Sequence, residues 1–111
     1  MAELLRRADR GQVELYISVV NLGEVIYLHQ QRHGIDIAAE ALARIREFSL
    51  DRVEADEALA LKAAHLKATT GAGYADCFAA ALALLREAAL VTGDPDFQRL
   101  EGLVTVEWLP T

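Results

Sequence analysis

The fold is decided by the stretch LVTGDPDF, residues 90–97. An apolar run reaches Gly93, and Asp94-Pro95-Asp96 then opens a short helical pattern. This order predicts a strand that turns directly into a helix, because Asp is a good N-cap and Pro suits the first helical position. In open α/β sheets, ligands bind at the carboxyl ends of the strands. Two carboxylates at that point are well placed for a divalent cation.

The rest of the chain predicts an α/β domain in which short strands alternate with helices. Strand patterns cover residues 13–17, 50–55, 90–93 and 103–109. Helical patterns cover residues 2–10, 19–33, 36–48, 56–68, 74–88 and 95–100, with N-caps predicted at Ser18, Asp36 and Asp56. The long helical connections favour a mainly parallel sheet.

Length and composition predict one small soluble domain. The chain has 111 residues, of which 53% are hydrophobic and 25% charged, with a formal net charge of −6. An acidic chain counts against nucleic-acid binding, since phosphate contacts need Lys and Arg, but acids gathered around a metal also lower the net charge. Arginines within 6–10 and 44–46 form either local basic patches or ordinary solvated helix faces.

The single cysteine, Cys77, lies in an Ala/Leu-rich helical pattern and is interpreted as a small buried residue. No signal-peptide pattern opens the chain, and its apolar runs are too short to cross a bilayer. These features predict a cytoplasmic protein without membrane association, in a reducing compartment.

Two further acids lie among apolar residues, Glu24 and Asp76. Each acid also has an explanation that needs no metal. Glu24 can be an exposed acid on a helix, and Asp94 can be an N-cap. Asp76 and Asp96 can be first-turn acids, which the helix dipole favours. Gly23, beside Glu24, predicts a close approach by another backbone or by a ligand, because glycine is unfavourable within a helix. Taken together, the acids suit Mg²⁺, which prefers carboxylate oxygens and water.

Other chemistry has weaker support. His29 and His33 have the spacing of a metal pair, but a polar helix end is the favoured interpretation. Ser18 and Thr92 have no His–acid partners for nucleophilic hydrolysis. Residues 71–73 lack the Lys-Ser/Thr ending of a phosphate loop.

Several stretches resemble the PIN-domain family of metal-dependent ribonucleases, especially VapC-like toxins of bacterial and archaeal toxin–antitoxin pairs. They are YISVVNLGEV (16–25), YADCFAAALA (74–83) and LVTGDPDF (90–97), and VTVEWL (104–109) resembles the last strand of the family. The resemblance covers essentially the whole chain in the right order. It implies a single PIN-like domain over residues 1–111, a three-layer α/β/α sandwich on a mainly parallel sheet.

The resemblance also implies a site. Glu24 matches the glutamate that the family carries on a helix, and Asp76 matches the aspartate that opens a later helix. Asp94 matches the aspartate after the family's fourth strand, and Asp96 matches a frequent extra acid two residues further on. Glu24, Asp76 and Asp94 are therefore the expected catalytic residues, and with Asp96 they are expected to hold Mg²⁺ or Mn²⁺. The ion would orient a water for in-line attack on an RNA phosphodiester. RNA is the implied substrate and an antitoxin protein the implied partner.

One departure from the family pattern concerns the N-terminus. No strand ending in Asp-Thr or Asp-Ser precedes residue 13, since residues 2–10 are charged and helical in pattern. We therefore expect a shortened domain, incomplete at the N-terminus, that lacks the family's first strand, first helix and one metal-binding Asp. Weaker metal binding and impaired catalysis are expected. The exposed strand edges predict a homo-oligomer.

Two alternatives remain from the sequence. One is a non-catalytic PIN-like module that binds a protein partner such as an antitoxin peptide. The other is a phosphohydrolase of the haloacid-dehalogenase type, which ranks low because the chain has no early Asp-x-Asp strand.

Overall fold

The computed structural model describes residues 2–109, and the chain divides into two compact units. The N-terminal unit ends at Glu54 and the C-terminal unit begins at Ala55. Each unit combines helices with a pair of parallel strands. These elements confirm the predicted α/β class and its parallel strand pairing.

The N-terminal unit is built around one parallel strand pair with a two-helix crossover. Its strands pair in register from Leu15 opposite Leu50 to Ser18 opposite Val53. The two crossover helices pack against each other. Its elements, in chain order, are α1 (Ala2–Asp9), β1 (Leu15–Ser18), α2 (Val19–His33), α3 (Ile35–Glu47) and β2 (Leu50–Val53).

The ends of α2 follow from local chemistry. Ser18 caps its N-terminus, as predicted, by accepting a hydrogen bond from the Asn21 amide at 3.1 Å. Gly34 ends α2 with φ of 89°, a conformation that glycine adopts without a Cβ clash. The predicted cap at Asp36 is wrong, because α3 begins directly after Gly34 and Asp36 lies in its first turn.

The C-terminal unit has the same mixture of elements. Its strands pair in parallel from Leu90 opposite Val106 to Thr92 opposite Trp108. Its elements, in chain order, are α4 (Glu57–Thr70), α5 (Tyr74–Leu85), β3 (Leu90–Thr92), a 3₁₀ helix (Pro95–Leu100) and β4 (Val106–Trp108). Asp56 caps α4 as predicted, accepting from the Leu59 amide at 2.9 Å.

The core of the C-terminal unit lies where α4 and α5 pack together. Leu59 and Leu100 are its largest fully buried side chains, and Ala63 and Ala80 are completely buried between larger residues. Cys77 is also fully buried, which confirms its interpretation as a small core residue. Burial of such side chains is the main stabilising contribution in a unit of this size.

Several predicted elements extend too far. The strand predicted over 13–17 begins at Leu15, and the strand predicted over 50–55 ends at Val53. The helix predicted to reach residue 88 ends at Leu85, and Glu87 then adopts a left-handed φ of 52°. The strand predicted from residue 103 begins only at Val106, because the Leu103 and Val104 amides both bond back to the Leu100 carbonyl. After α5 and after the 3₁₀ helix, the chain continues into a turn. The residues of these turns are of types that also occur in helices and strands, so the sequence pattern extends the elements too far.

Within residues 2–109, no single helix is both long and apolar enough to cross a bilayer. The pair α4 and α5 meets that test jointly, by length and composition only, and is bent by 119° at its break.

Candidate metal centre

The loop that follows β3 carries two of the predicted metal ligands. Asp94 caps the 3₁₀ helix, because its Oδ1 accepts from the Asp96 amide at 2.9 Å. The Asp94 amide in turn donates to the Thr92 hydroxyl at 3.1 Å. Both carboxylates are exposed. The predicted cap with Pro95 at the first helical position is therefore confirmed, and these bonds hold the acidic loop in a defined conformation.

Asp76 lies in the first turn of α5 and is half-buried. A Cβ atom built at Gly73 would approach the Asp76 Oδ2 to 3.3 Å. A larger residue at position 73 would therefore displace this carboxylate. Gly73 also accepts the first helical hydrogen bond, from the Cys77 amide at 3.0 Å.

The topology of the C-terminal unit places the two acidic segments at the same end. α5 packs against β3, and residues 86–89 are the short connection between them. Because this connection reverses the chain, the start of α5 and the end of β3 both lie away from it. Asp76 is at that start, and Asp94 follows that end. This is the strand outlet where α/β folds bind ligands.

Glu24 is half-buried in α2 of the N-terminal unit. Beside it, Gly23 is exposed, and a Cβ atom there would meet no atom within 4 Å. The predicted close approach of another backbone to Gly23 is therefore wrong. Further along α2, His29 Nδ1 bonds to the Val25 carbonyl at 2.9 Å, and its ring centroid is 6.4 Å from that of His33.

The predicted ligands are thus distributed over both units. Asp94 and Asp96 share one loop, Asp76 belongs to the same unit, and Glu24 belongs to the other. Within neither unit, over residues 2–54 and 55–109, do three His, Cys, Asp or Glu side chains gather into a group that could hold a metal ion. The donor chemistry fits a hard divalent cation, since all four residues offer carboxylate oxygens. The four-residue site stays a prediction.

The Cys77 thiol next to Asp76 is not a nucleophile. Burial raises its pKa above the ordinary value, against the opposing effects of a Thr70 hydrogen bond and the Lys67 charge. The thiol is therefore protonated at neutral pH. Its Sγ lies 3.8 Å from the Ala72 carbonyl oxygen, so it packs under the turn between α4 and α5.

The glycines at 71 and 73 indicate a turn from the sequence, but the sequence does not indicate the side chain that contacts this turn. Gly71 caps α4 with φ of 70°, and Arg99 Nη1 donates to the Gly71 carbonyl at 3.3 Å. Arg99 belongs to the 3₁₀ helix that begins after Asp94, so it ties this helix to the turn that leads to Asp76. No local pattern predicts a contact between residues 28 positions apart.

A surface pocket of about 450 Å³ lies at the other end of α5. It is lined by the last residues of that helix, by residues 87–89 and by residues 103–105. Glu87 is one of the residues that line it. The pocket is therefore separate from the strand outlet that carries Asp94.

Comparison with known proteins identifies the family. The model of the PIN domain matches residues 1–103. A chain in the solved structure of a toxin–antitoxin complex from Klebsiella pneumoniae has a similar fold, with a TM-score of 0.59, 21% identity and coverage of 86% of this chain and 77% of that one. No curated protein matches. Since the family model covers nearly the whole chain, including all four predicted acids, the protein belongs to the PIN domain family.

Proposed function

We propose that this protein is a metal-dependent ribonuclease of PIN type and the toxin of a toxin–antitoxin pair. The observation that carries the proposal is the family match over residues 1–103, which includes Glu24, Asp76, Asp94 and Asp96. PIN domains are generally metal-dependent nucleases. The solved toxin–antitoxin complex with a similar fold supports the toxin assignment.

In this proposal, the four acids hold Mg²⁺ or Mn²⁺. When bound, such an ion lowers the pKa of a water molecule and stabilises negative charge on the phosphodiester. The chain contributes the carboxylates and their orientation. The Asp96 amide and Thr92 hydroxyl fix Asp94, and the absence of a side chain at Gly73 leaves room for Asp76.

The partners follow from the same proposal. RNA is the substrate, an antitoxin is the protein partner, and residues 1–111 act as a single PIN-like domain in the cytoplasm. We also propose a homo-oligomer, supported by exposed apolar side chains on the α2–α3 pair. Tyr27 is 50% exposed and Ile35 is 67% exposed. Side chains of this kind favour association with another protein surface.

A non-catalytic protein-binding module is the second candidate. It is favoured by the same exposed apolar residues and by the finding that neither unit alone, over residues 2–54 and 55–109, gathers three metal-binding side chains. It predicts a stable complex with an antitoxin peptide and no metal-dependent cleavage.

The two candidates are separated by incubating the full chain with single-stranded RNA in Mg²⁺, in Mn²⁺ and in a chelator. The ribonuclease proposal expects cleavage that requires the metal and is lost in Asp94→Asn and Asp76→Asn. The matched control is Glu87→Gln, which removes a carboxylate at the opposite end of α5. Cleavage that persists in the chelator or in both aspartate variants would contradict the proposal. Binding of a partner peptide without any cleavage would favour the module.

A further inference from the structure

The turn between α4 and α5 carries an exposed aromatic ring beside Asp76. Tyr74 is the first residue of α5 and is 48% exposed. Its ring makes a T-shaped contact with Phe78, with centroids 5.0 Å apart and planes at 71°, and Phe78 is itself buried. This contact holds one side of the Tyr74 ring in place while nearly half of the side chain remains open to solvent.

Two cations lie at the same turn. Arg99 donates to the Gly71 carbonyl at 3.3 Å, and Lys67 is one helical turn before Gly71, whose amide bonds to the Lys67 carbonyl at 3.0 Å. The Lys67 charge also acts to lower the pKa of Cys77, which adjoins Asp76 in sequence. Both cationic side chains are exposed, and neither forms an ion pair within residues 55–109.

This concentration of positive charge is unusual for the C-terminal unit. The unit has eight acidic residues but only four basic ones, which are Lys62, Lys67, Arg86 and Arg99. Two of the four are near this turn, since Arg99 contacts the Gly71 carbonyl and Lys67 is one helical turn before Gly71. An open aromatic ring combined with unpaired cations is the arrangement by which proteins bind single-stranded nucleic acid, where bases stack on the ring and phosphates contact the cations.

We propose that the α4–α5 turn is a binding subsite for single-stranded RNA. In it, a base stacks on Tyr74 and the adjoining phosphates contact Lys67 and Arg99. This inference rests on the proposed function, because it places the RNA strand beside Asp76, one of the proposed metal ligands. It also answers the objection from net charge, since an acidic protein can bind RNA through a local cationic patch.

The inference is tested by binding of the full chain to a fluorescein-labelled single-stranded RNA, with a chelator present to prevent cleavage. Tyr74→Ala is expected to weaken binding about tenfold, within the range measured for loss of one stacked base. Tyr74→Phe should bind like the unmodified chain, because it keeps the ring. Tyr74→Leu keeps apolar bulk without an aromatic face and should resemble Tyr74→Ala.

The cations are tested by the salt dependence of the same binding. Each of Lys67→Gln and Arg99→Gln is expected to reduce the slope of log K against log salt by about 0.7, the value for one phosphate contact on a single strand. Lys62→Gln is the matched control, because it changes the same residue type on another face of α4. A 2-aminopurine base in the RNA should lose fluorescence when it stacks on the ring of the unmodified chain or of Tyr74→Phe. It should keep its fluorescence on binding to Tyr74→Ala.

The outcomes separate this subsite from the ribonuclease proposal. If the chain cleaves RNA but all Tyr74 variants bind it equally well, the subsite is refuted and the proposed function stands. If RNA binds through Tyr74 without metal-dependent cleavage, the subsite stands and the nuclease is refuted. If the chain neither binds nor cleaves RNA, both are refuted. If Tyr74→Ala keeps its RNA affinity but no longer retains a co-purified protein, the turn is a protein contact and the subsite is refuted.

Discussion

Replacing Asp94 with Asn and with Ala separates the structural role of this residue from its proposed role as a metal ligand. The Asp94 Oδ1 caps the 3₁₀ helix by accepting from the Asp96 amide at 2.9 Å. Asn keeps this acceptor and removes the negative charge, whereas Ala removes both. The two variants should therefore differ in stability but resemble each other in metal binding.

The magnitudes follow from the cap. Loss of an N-cap side chain costs about 1 kcal/mol. For a chain of 111 residues, an unfolding entropy of about 2.1 cal/mol/K per residue converts this cost to a decrease in Tm of about 4 °C. Asp94→Asn should stay within about 0.5 kcal/mol of the unmodified chain, as surface substitutions usually do. Both variants should lose at least about tenfold in Mn²⁺ affinity, since even outer partners of a metal site contribute that much.

Calorimetry provides both readouts, with scanning calorimetry for Tm and titration for Mn²⁺ binding. Glu87→Gln is again the control, because it removes one carboxylate away from the strand outlet. The metal-ligand role of Asp94 is refuted if Asp94→Asn binds Mn²⁺ as tightly as the unmodified chain. The capping role is refuted if Asp94→Ala melts at the same temperature as Asp94→Asn.

Three other predictions concern the C-terminal unit. Leu100→Ala should lower the free energy of unfolding by about 2–5 kcal/mol in urea titrations, because the Leu100 side chain is fully buried. The control Leu61→Ala should change it by less than about 0.5 kcal/mol, because Leu61 is 62% exposed. Equal effects of the two substitutions would contradict the assigned core. Glu87→Gly should stabilise the protein by about 0.5 kcal/mol, since φ of 52° strains any residue with a Cβ, and a decrease in stability would show that its side chain makes a compensating contact. Cys77 should react with a thiol reagent about a thousandfold more slowly in native buffer than in denaturant, because its side chain is buried until the protein unfolds. Rapid labelling of the native protein would contradict this burial.

Helix starts were predictable where a single side chain decides them. Ser18, Asp56 and Asp94 each accept a hydrogen bond from a backbone amide two or three residues ahead, so the sequence suffices to locate them. The same rule predicts an N-cap at Asp36, and this prediction is wrong. A cap at Asp36 would start the helix at Ile37, two residues after the observed start at Ile35, because Gly34 both ends α2 and caps α3.

The candidate site was predictable in its residue types but not in its surroundings. Asp76, Asp94 and Asp96 could be chosen because carboxylates at strand outlets and helix starts follow short patterns. Glu24 lies within α2 and was indicated by the family resemblance. The metal site that they would form stays a prediction. Arg99 could not be chosen from the sequence, since its bond to the Gly71 carbonyl joins segments 28 residues apart. The sequence does not distinguish Lys67 from other surface lysines either, because its proposed role depends on which other charges lie near the turn.

The sequence by itself determined which residues form helices and strands, because caps, glycines and apolar periodicity act over a few residues. Only the tertiary structure decided that Leu90 pairs in parallel with Val106 and that the predicted strand 103–109 shortens to Val106–Trp108. It also decided that Tyr74 stays exposed and that Arg99 contacts the turn before it. Such features depend on how packed segments compete for the same hydrogen bonds and the same buried volume. The LVTGDPDF stretch marks the strand outlet, and the packing of α5 on β3 puts Asp76 at the same end.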